Sequence, residues 1–155
     1  MSYKDTYRRN KNITTRGKAK DLSLYFTKGE KNKVARKRMI DPSFWTDEKL
    51  GECSIQERLL FMGLISNADD EGYGRANPKL LKSLIFPYDD LRASDLEKWL
   101  SHLGGLNIVV LYKYEEQTYY YLPNFSKHQT INKPTETSFP RINVERCSST
   151  TVVLR

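Results

Sequence analysis

Residues 54–68 have the sequence SIQERLLFMGLISNA, which carries the strongest helix signal in the chain. Ser54 precedes Glu57 by three residues, and this spacing is typical of a capping box, in which the two side chains accept hydrogen bonds from each other's backbone N–H. An almost continuous apolar run follows, so we predict a central core helix over 54–68. Its predicted inward stripe consists of Ile55, Leu59, Met62 and Ile65, widened by Leu60, Phe61 and Leu64.

Two short elements are predicted after this helix. Residues 73–76 are bounded by turn residues and are long enough only for a small strand. Asn77 and Pro78 then supply an N-cap and a first helical residue, which predicts a helix as far as Ile85. Phe86-Pro87 ends it.

The next segment predicts a helix followed by a β-hairpin. Ser94 and Glu97 repeat the capping-box spacing, and apolar residues recur at helical intervals, so we predict a helix over 95–103. Gly104-Gly105 stops it. The hairpin is predicted from strands over 106–114 and 118–122, with Leu106, Ile108, Val110 and Tyr112 on one face of the first strand.

The predicted order is helix, short strand, helix, helix, strand, strand. This order is typical of a winged helix-turn-helix, an α+β fold with a three-helix core and a small antiparallel sheet whose last hairpin is the wing. We predict this domain over 39–125, with a short helix over 43–50 as a clasp that turns Trp45 and Leu50 inward. Residues 1–38 are predicted to form a flexible basic arm, and residues 126–155 a basic polar tail whose last 20 or so residues are loosely ordered.

Charge is distributed unevenly along the 155 residues, whose net charge is +7. Residues 1–38 hold 13 basic and 3 acidic side chains, residues 39–125 hold 8 and 14, and residues 126–155 hold 5 and 2. Basic ends favour a polyanionic partner, and nucleic acid is the first candidate. Because the central block is acidic, phosphate contacts are expected mainly from the ends.

Candidate nucleic-acid-binding residues lie in all three predicted regions. The arm supplies Arg8, Arg9, Lys11, Arg36, Lys37 and Arg38. The domain supplies Lys79 and Lys82, together with Lys98, Ser101 and His102 on the predicted recognition helix. The tail supplies Lys127, His128 and Lys133. The alternatives that remain open are a solubilising arm and a solvated linker.

Two features oppose or complicate DNA binding by the domain itself. Asp95 and Glu97 lie at the start of the predicted recognition helix, and the predicted wing tip, Glu115-Glu116, is acidic, so both would repel phosphates. Tyr119, Tyr120 and Tyr121, with Lys113, resemble a base-stacking surface. Ordinary packing of one strand face on the core is the favoured alternative.

Several short motifs resemble one known family. They read RLLFMGL at 58–64, ADDEG at 68–72, RANP at 75–78, LLK at 80–82, FPYDD at 86–90, NFSKHQ at 124–129 and INKP at 131–134. Their order over residues 39–140 resembles the N-terminal module of DnaD-like replisome organisers and replication proteins of phages and prophages. This resemblance implies a winged-helix domain that binds DNA and helps to assemble replication proteins at an origin.

No enzymatic, cofactor or metal site is predicted. Asp69, Asp70 and Glu71 form a carboxylate cluster, but consecutive residues in a turn point in different directions, which favours a turn cap over a nuclease metal site. Two histidines and two cysteines, Cys53 and Cys147, have no ordinary zinc-ligand spacing. The chain contains no Walker A, GxSxG or Rossmann motif. We therefore expect a protein that is not an enzyme.

The leading hypothesis is a phage or prophage DNA-binding protein of winged-helix type that acts in replication initiation, with duplex DNA favoured over single-stranded DNA. The alternative is a phage protein-interaction module that modulates a host protein or nucleoprotein complex, for example as an inhibitor of a host nuclease or defence system. Replication proteins are further candidate partners, and a homo-oligomer would match palindromic sites. The absence of CxxC spacing and of an apolar run of ~20 residues predicts a soluble protein in the cytoplasm of a bacterial host, without a membrane partner.

Overall fold

The structure, a computed structural model, describes residues 35–142. Within them, five α-helices and one three-stranded antiparallel sheet form an α+β fold that is compatible with a winged-helix-like arrangement. The helices are α1 (Glu48–Gly51), α2 (Ile55–Asn67), α3 (Pro78–Ile85), α4 (Ala93–Gly105) and α5 (Phe125–His128). The strands are β1 (Tyr73–Arg75), β2 (Val110–Tyr114) and β3 (Gln117–Tyr121), and a 3-10 turn covers Pro42–Trp45.

The predicted capping box of α2 is confirmed. Ser54 Oγ accepts a hydrogen bond from the backbone N–H of Glu57 at 3.2 Å, and Glu57 Oε2 accepts one from the backbone N–H of Ser54 at 2.7 Å. Two of the backbone donors that a helix start leaves without intrahelical partners are thereby satisfied. The helix therefore begins where the sequence pattern places it.

The predicted inward stripe of α2 is only partly correct. Leu60 and Leu64 are fully buried, whereas Ile55 is 72% exposed and Leu59 is 47% exposed. Close packing explains this orientation, because a Cβ at Gly63 would lie 2.5 Å from Ile85 Cδ1 of α3. The helix therefore turns Gly63 towards α3. This orientation buries Leu60 and Leu64 and leaves Ile55 and Leu59 exposed.

The remaining core helices are α3 and α4. Leu96, Leu100 and Leu103 of α4 are completely buried, as their helical spacing predicts. Helix α4 begins two residues earlier than predicted, because the Asp95 carboxylate accepts a hydrogen bond from the Arg92 backbone N–H at 3.1 Å. The predicted capping box of Ser94 and Glu97 is thus replaced by a capping contact between Arg92 and Asp95.

The sheet has the strand order β1-β3-β2, in which β3 pairs with both neighbours. The predicted hairpin is confirmed, and Tyr114 pairs with Gln117 at its tip. Strand β2 starts at Val110 rather than at residue 106, because α4 continues to Gly105 and Asn107 then adopts a left-handed turn with φ 57°. The buried residues of this segment are Val109 and Leu111, so the predicted face that holds Val110 and Tyr112 is the opposite side of the strand.

The clasp differs from the predicted continuous helix over 43–50. Asp47 accepts a hydrogen bond from the Leu50 backbone N–H at 3.0 Å, so a new helix starts there and separates α1 from the 3-10 turn. Leu50 faces inward as predicted, but Trp45 is 65% exposed. Phe44 takes the inward position and stacks on Phe61 of α2, with ring centroids 5.9 Å apart.

Part of the predicted tail packs on the sheet. The Tyr112 hydroxyl donates to Pro140 O at 2.7 Å, and the Phe139 ring lies 5.8 Å from that of Tyr119. Thr137 N donates to the carboxylate of Glu71 at 3.0 Å. Residues 135–142 therefore pack against the outer face of the sheet, contrary to the loose ordering predicted for this part of the tail. The rest of the predicted tail lies outside the described residues.

Candidate nucleic-acid interface

Helix α4 presents a polar face opposite its buried leucines. Glu97, Lys98, Ser101 and His102 are exposed on this face, so three of the predicted contact residues share one surface with a carboxylate. The Ser101 hydroxyl donates to the Glu97 backbone oxygen at 2.9 Å. Lys98 is the lysine of this face, and its side chain is exposed to solvent.

His102 is partly committed to a contact within the protein. Its Nδ1 lies 2.7 Å from Glu57 Oε1, which links the last turn of α4 to the first turn of α2. Burial would raise the pKa of Glu57, but the hydrogen bonds from Ser54 and His102 outweigh it and lower that pKa below its ordinary value. The carboxylate therefore stays ionised beside the imidazole.

The two lysines of α3 have different environments. Lys79 is exposed in the first turn of the helix. Lys82 Nζ donates to the Asp89 backbone oxygen at 3.1 Å and so stabilises the connection between α3 and α4. Lys79 is the better placed of the two for a phosphate contact.

The end of the predicted basic arm is held by Asp70. Arg36 Nη1 donates to Asp70 Oδ2 at 2.6 Å, and Arg38 Nη2 donates to Asp70 Oδ1 at 2.9 Å. Arg38 also donates to Ala68 O at 3.0 Å, and its guanidinium lies 5.2 Å above the centroid of the Phe125 ring. Its side chain is only 5% exposed. Arg38 is thus part of the folded body, and Lys37 between the two arginines is exposed.

The pKa of Asp70 reflects these contacts. Burial by itself would raise it, but hydrogen bonds from the Thr135 backbone N–H, Arg38 and Arg36 lower the pKa to about 2. The charged carboxylate is therefore the stable form in the folded protein at neutral pH. Arg36 and Arg38 would therefore have to leave Asp70 before their guanidinium groups could bind a phosphate.

The predicted tail residues are dispersed. Lys127 is exposed on α5, and Lys133 is exposed in a left-handed backbone conformation with φ 56°. His128 Nδ1 lies 3.3 Å from Asp41 Oδ2. This contact and the hydrogen bonds of Ser43 lower the pKa of Asp41, with Ser43 contributing most.

The tyrosines of β3 do not form an exposed stacking surface. Tyr120 is 1% exposed and its hydroxyl donates to Leu64 O at 3.0 Å, which places it in the core. Tyr119 is 6% exposed between Tyr112 and Phe139. Tyr121 stacks on Tyr73, with centroids 4.6 Å apart. Both faces of β3 therefore pack against other parts of the protein. The sequence predicted such packing for one of the two faces.

The acidic turn between α2 and β1 stabilises the fold through protein donors. Asp69 Oδ1 accepts hydrogen bonds from the backbone N–H groups of Glu71 and Tyr73, at 3.0 and 2.9 Å. Glu71 Oε1 accepts one from Arg141 at 2.8 Å. These contacts confirm the predicted turn-capping role of Asp69.

The net charge of the described residues differs from that of the segment before them. Residues 35–142 hold 14 basic and 15 acidic side chains, so their net charge is −1. Residues 1–34 hold 10 basic and 3 acidic side chains, a net charge of +7. Arg8, Arg9 and Lys11 belong to that segment and lie outside the described residues. The net positive charge of the chain therefore lies mainly in residues 1–34.

The structure also brings together residues that sequence spacing does not connect. Cys53, Glu57 and His102 place a sulfur, a carboxylate oxygen and an imidazole nitrogen within 4.8 Å of one another. Cys53 and Glu57 are four positions apart, a one-turn helical spacing, but His102 joins them through the packing of α4 on α2. Burial and the nearby carboxylates of Glu57 and Glu52 raise the pKa of the Cys53 thiol.

A cleft of about 220 Å3 lies between the clasp, α2 and α5. Phe44, Phe61 and Leu122 provide apolar lining, and Asp41 and His128 lie at its polar side. Sequence periodicity does not reveal this cleft, because its walls come from four separated segments.

No protein-family model matches the chain, and neither the curated proteins nor the solved structures contain a match. In the part of the chain that the structure describes, no helix has the length and apolar character needed to cross a bilayer.

Proposed function

We propose that this chain is a DNA-binding protein of winged-helix type that acts in the initiation of phage or prophage DNA replication. The observation that carries the proposal is the succession α2-β1-α3-α4-β2-β3 with sheet order β1-β3-β2. In a winged helix-turn-helix, the third helix of this succession enters the major groove. Here that helix is α4, and its outer face exposes Lys98, Ser101 and His102.

The arm completes the proposed interface. A described body of net charge −1 gains little from counterion release, which supplies most of the non-specific affinity for DNA. Residues 1–34, with net charge +7, supply the missing cations. Arg36 N donates to Ser66 O, so the chain leaves the folded body beside the end of α2. The arm is therefore proposed to bind the phosphate backbone while α4 contacts the groove.

Fluorescence anisotropy with labelled duplex and single-stranded DNA tests this proposal. The full chain is measured over a salt series beside a variant with Arg8→Gln, Arg9→Gln and Lys11→Gln. The loss of three phosphate contacts should make the plot of log affinity against log salt concentration less steep, by about 3 in slope. A matched Arg8→Lys and Arg9→Lys variant keeps the charge and the slope. Absence of duplex binding by the full chain at moderate salt would contradict the proposal.

The contribution of α4 is tested separately. Lys98→Ala is expected to weaken duplex binding at least about fivefold, the effect of one lost side-chain contact. Lys49→Ala removes an equally exposed lysine from α1 and serves as the matched control. Equal effects of the two variants would assign binding to overall charge rather than to this helix.

The second candidate function is a protein-interaction module. It is favoured by Ile55 and Leu59, which lie one helical turn apart on α2 and are 72% and 47% exposed. Apolar side chains exposed side by side are typical of contact surfaces between proteins. Replacing both with serine is expected to abolish capture of such a partner and to leave DNA binding unchanged. The opposite result, lost DNA binding with intact folding, would argue against this second function.

A further inference from the structure

Three side chains of different chemistry converge where α2 meets α4. Cys53 precedes the capping box, Glu57 is the third residue of α2, and His102 lies in the last turn of α4. One ligand atom from each lies within 4.8 Å of the other two. Glu57 Oε1 and His102 Nδ1 are the closest pair, at 2.7 Å.

We propose that Cys53, Glu57 and His102 bind a divalent cation of the zinc class. Thiolate, imidazole and carboxylate are the ligand types that Zn2+ takes in proteins, with metal–ligand distances of roughly 2.0–2.3 Å. Ligand atoms around such an ion lie about 3–4 Å apart in a tetrahedral site. The separations in the structure are 2.7 Å between Glu57 Oε1 and His102 Nδ1 and no more than 4.8 Å between the other pairs.

Glu57 and Cys53 have surroundings that support this role. Glu57 uses Oε2 for the Ser54 backbone N–H, so Oε1 remains directed towards His102 and the shared site. This carboxylate is thereby fixed in orientation, as metal ligands generally are by their outer contacts. Cys53 is 5% exposed and Glu57 is 8% exposed, so the ion would bind in a partly dry environment.

The site is more open to solvent at His102 than at Glu57. The His102 side chain is 44% exposed, whereas the Glu57 side chain is 10% exposed. Three protein ligands leave a fourth position for water or for a ligand atom of another molecule. The nearby Glu52 and Asp47 carboxylates add negative potential at Cys53, and Arg58 opposes it in part.

The site has a structural consequence for α4. The turn between α1 and α2 contributes Cys53, the first turn of α2 contributes Glu57, and the C-terminal turn of α4 contributes His102. A bound ion would hold these segments together in place of the Glu57–His102 hydrogen bond. This inference does not depend on the proposed DNA-binding function, because metal binding is measured on the chain alone.

Cobalt titration of the full reduced chain tests the site. Co2+ is used as the probe because a thiolate ligand gives it a charge-transfer absorption band, and Zn2+ should then displace it. We expect saturation at one Co2+ per chain with this band present. Cys53→Ser should remove the band, and His102→Ala should raise the dissociation constant by at least about tenfold.

The second cysteine and second histidine of the chain provide matched controls. Cys147→Ser and His128→Gln should leave both the band and the affinity unchanged. Circular dichroism checks that each variant, His102→Ala included, is folded. The proposal is overturned if the wild-type chain gives no charge-transfer band, if the band survives Cys53→Ser, or if His102→Ala binds as tightly as the wild type.

Discussion

Arg38 and Asp70, 32 positions apart in the sequence, form an ion pair with a 2.9 Å contact between Nη2 and Oδ1. Their side chains are 5% and 1% exposed. The other oxygen of Asp70 accepts from Arg36 and from the Thr135 backbone N–H. One buried carboxylate therefore joins the segment before the clasp to the segment that covers the sheet.

Asp70→Asn is expected to lower the free energy of unfolding at pH 7 by roughly 2 kcal/mol, because a pKa lowered to about 2 represents nearly two units of preferential stabilisation of the charged form. The folded pKa lies below the unfolded value near 4, so this stabilisation is present above about pH 4 and is lost as the pH falls towards 2. Urea unfolding of both proteins at several pH values measures it. A difference between them that stays constant from pH 7 to pH 2 would contradict the assignment.

Substitutions at Lys37 and Arg38 are expected to have different effects: the first on DNA binding and the second on the free energy of unfolding. Arg38→Gln leaves Asp70 without its most buried cation and should cost about 3 kcal/mol of unfolding free energy. Lys37→Gln removes an exposed charge and should change stability by less than about 0.5 kcal/mol. If Lys37 contacts phosphate, its loss lowers the salt slope of DNA binding by about 0.9. Thermal unfolding and anisotropy on the same samples measure the two effects.

Gly74→Ala is expected to destabilise the sheet by about 1–3 kcal/mol. A Cβ at this position would overlap the Tyr120 ring, which is fully enclosed and cannot move away without strain. Gly51→Ala is the matched control, since nothing lies within 4 Å of a Cβ there. Denaturant unfolding compares them. Equal stability of the two variants would mean that Tyr120 is not packed against β1 as described.

Glu115→Lys combined with Glu116→Lys tests the hairpin as a DNA-binding wing. Both residues are exposed at the tip, and their carboxylates repel phosphates. If the wing lies against DNA, the reversal should tighten duplex binding and steepen the salt slope by about 2. Lys98→Glu at α4 should act in the opposite direction. Unchanged DNA affinity of the wing variant would place the hairpin away from the nucleic acid.

The sequence alone determined the elements whose signals are local. The Ser54–Glu57 capping box, the Asn77-Pro78 helix start, the buried leucines of α4 and the hairpin before Leu122 depend on residues within a few positions of each other. The order of these elements gave the α+β class. Composition also located the positive charge in residues 1–34, because charge counts do not depend on folding.

Tertiary structure decided which faces are buried and which charges are paired. The rotation of α2 depends on the fit between Gly63 and Ile85, and apolar periodicity does not encode that contact. Arg38 is exposed or buried according to where Asp70 lies, and His102 joins Cys53 and Glu57 only when α4 packs on α2. These relationships join residues more than 20 positions apart. Their energies depend on burial and distance, which a linear pattern of residue types does not specify.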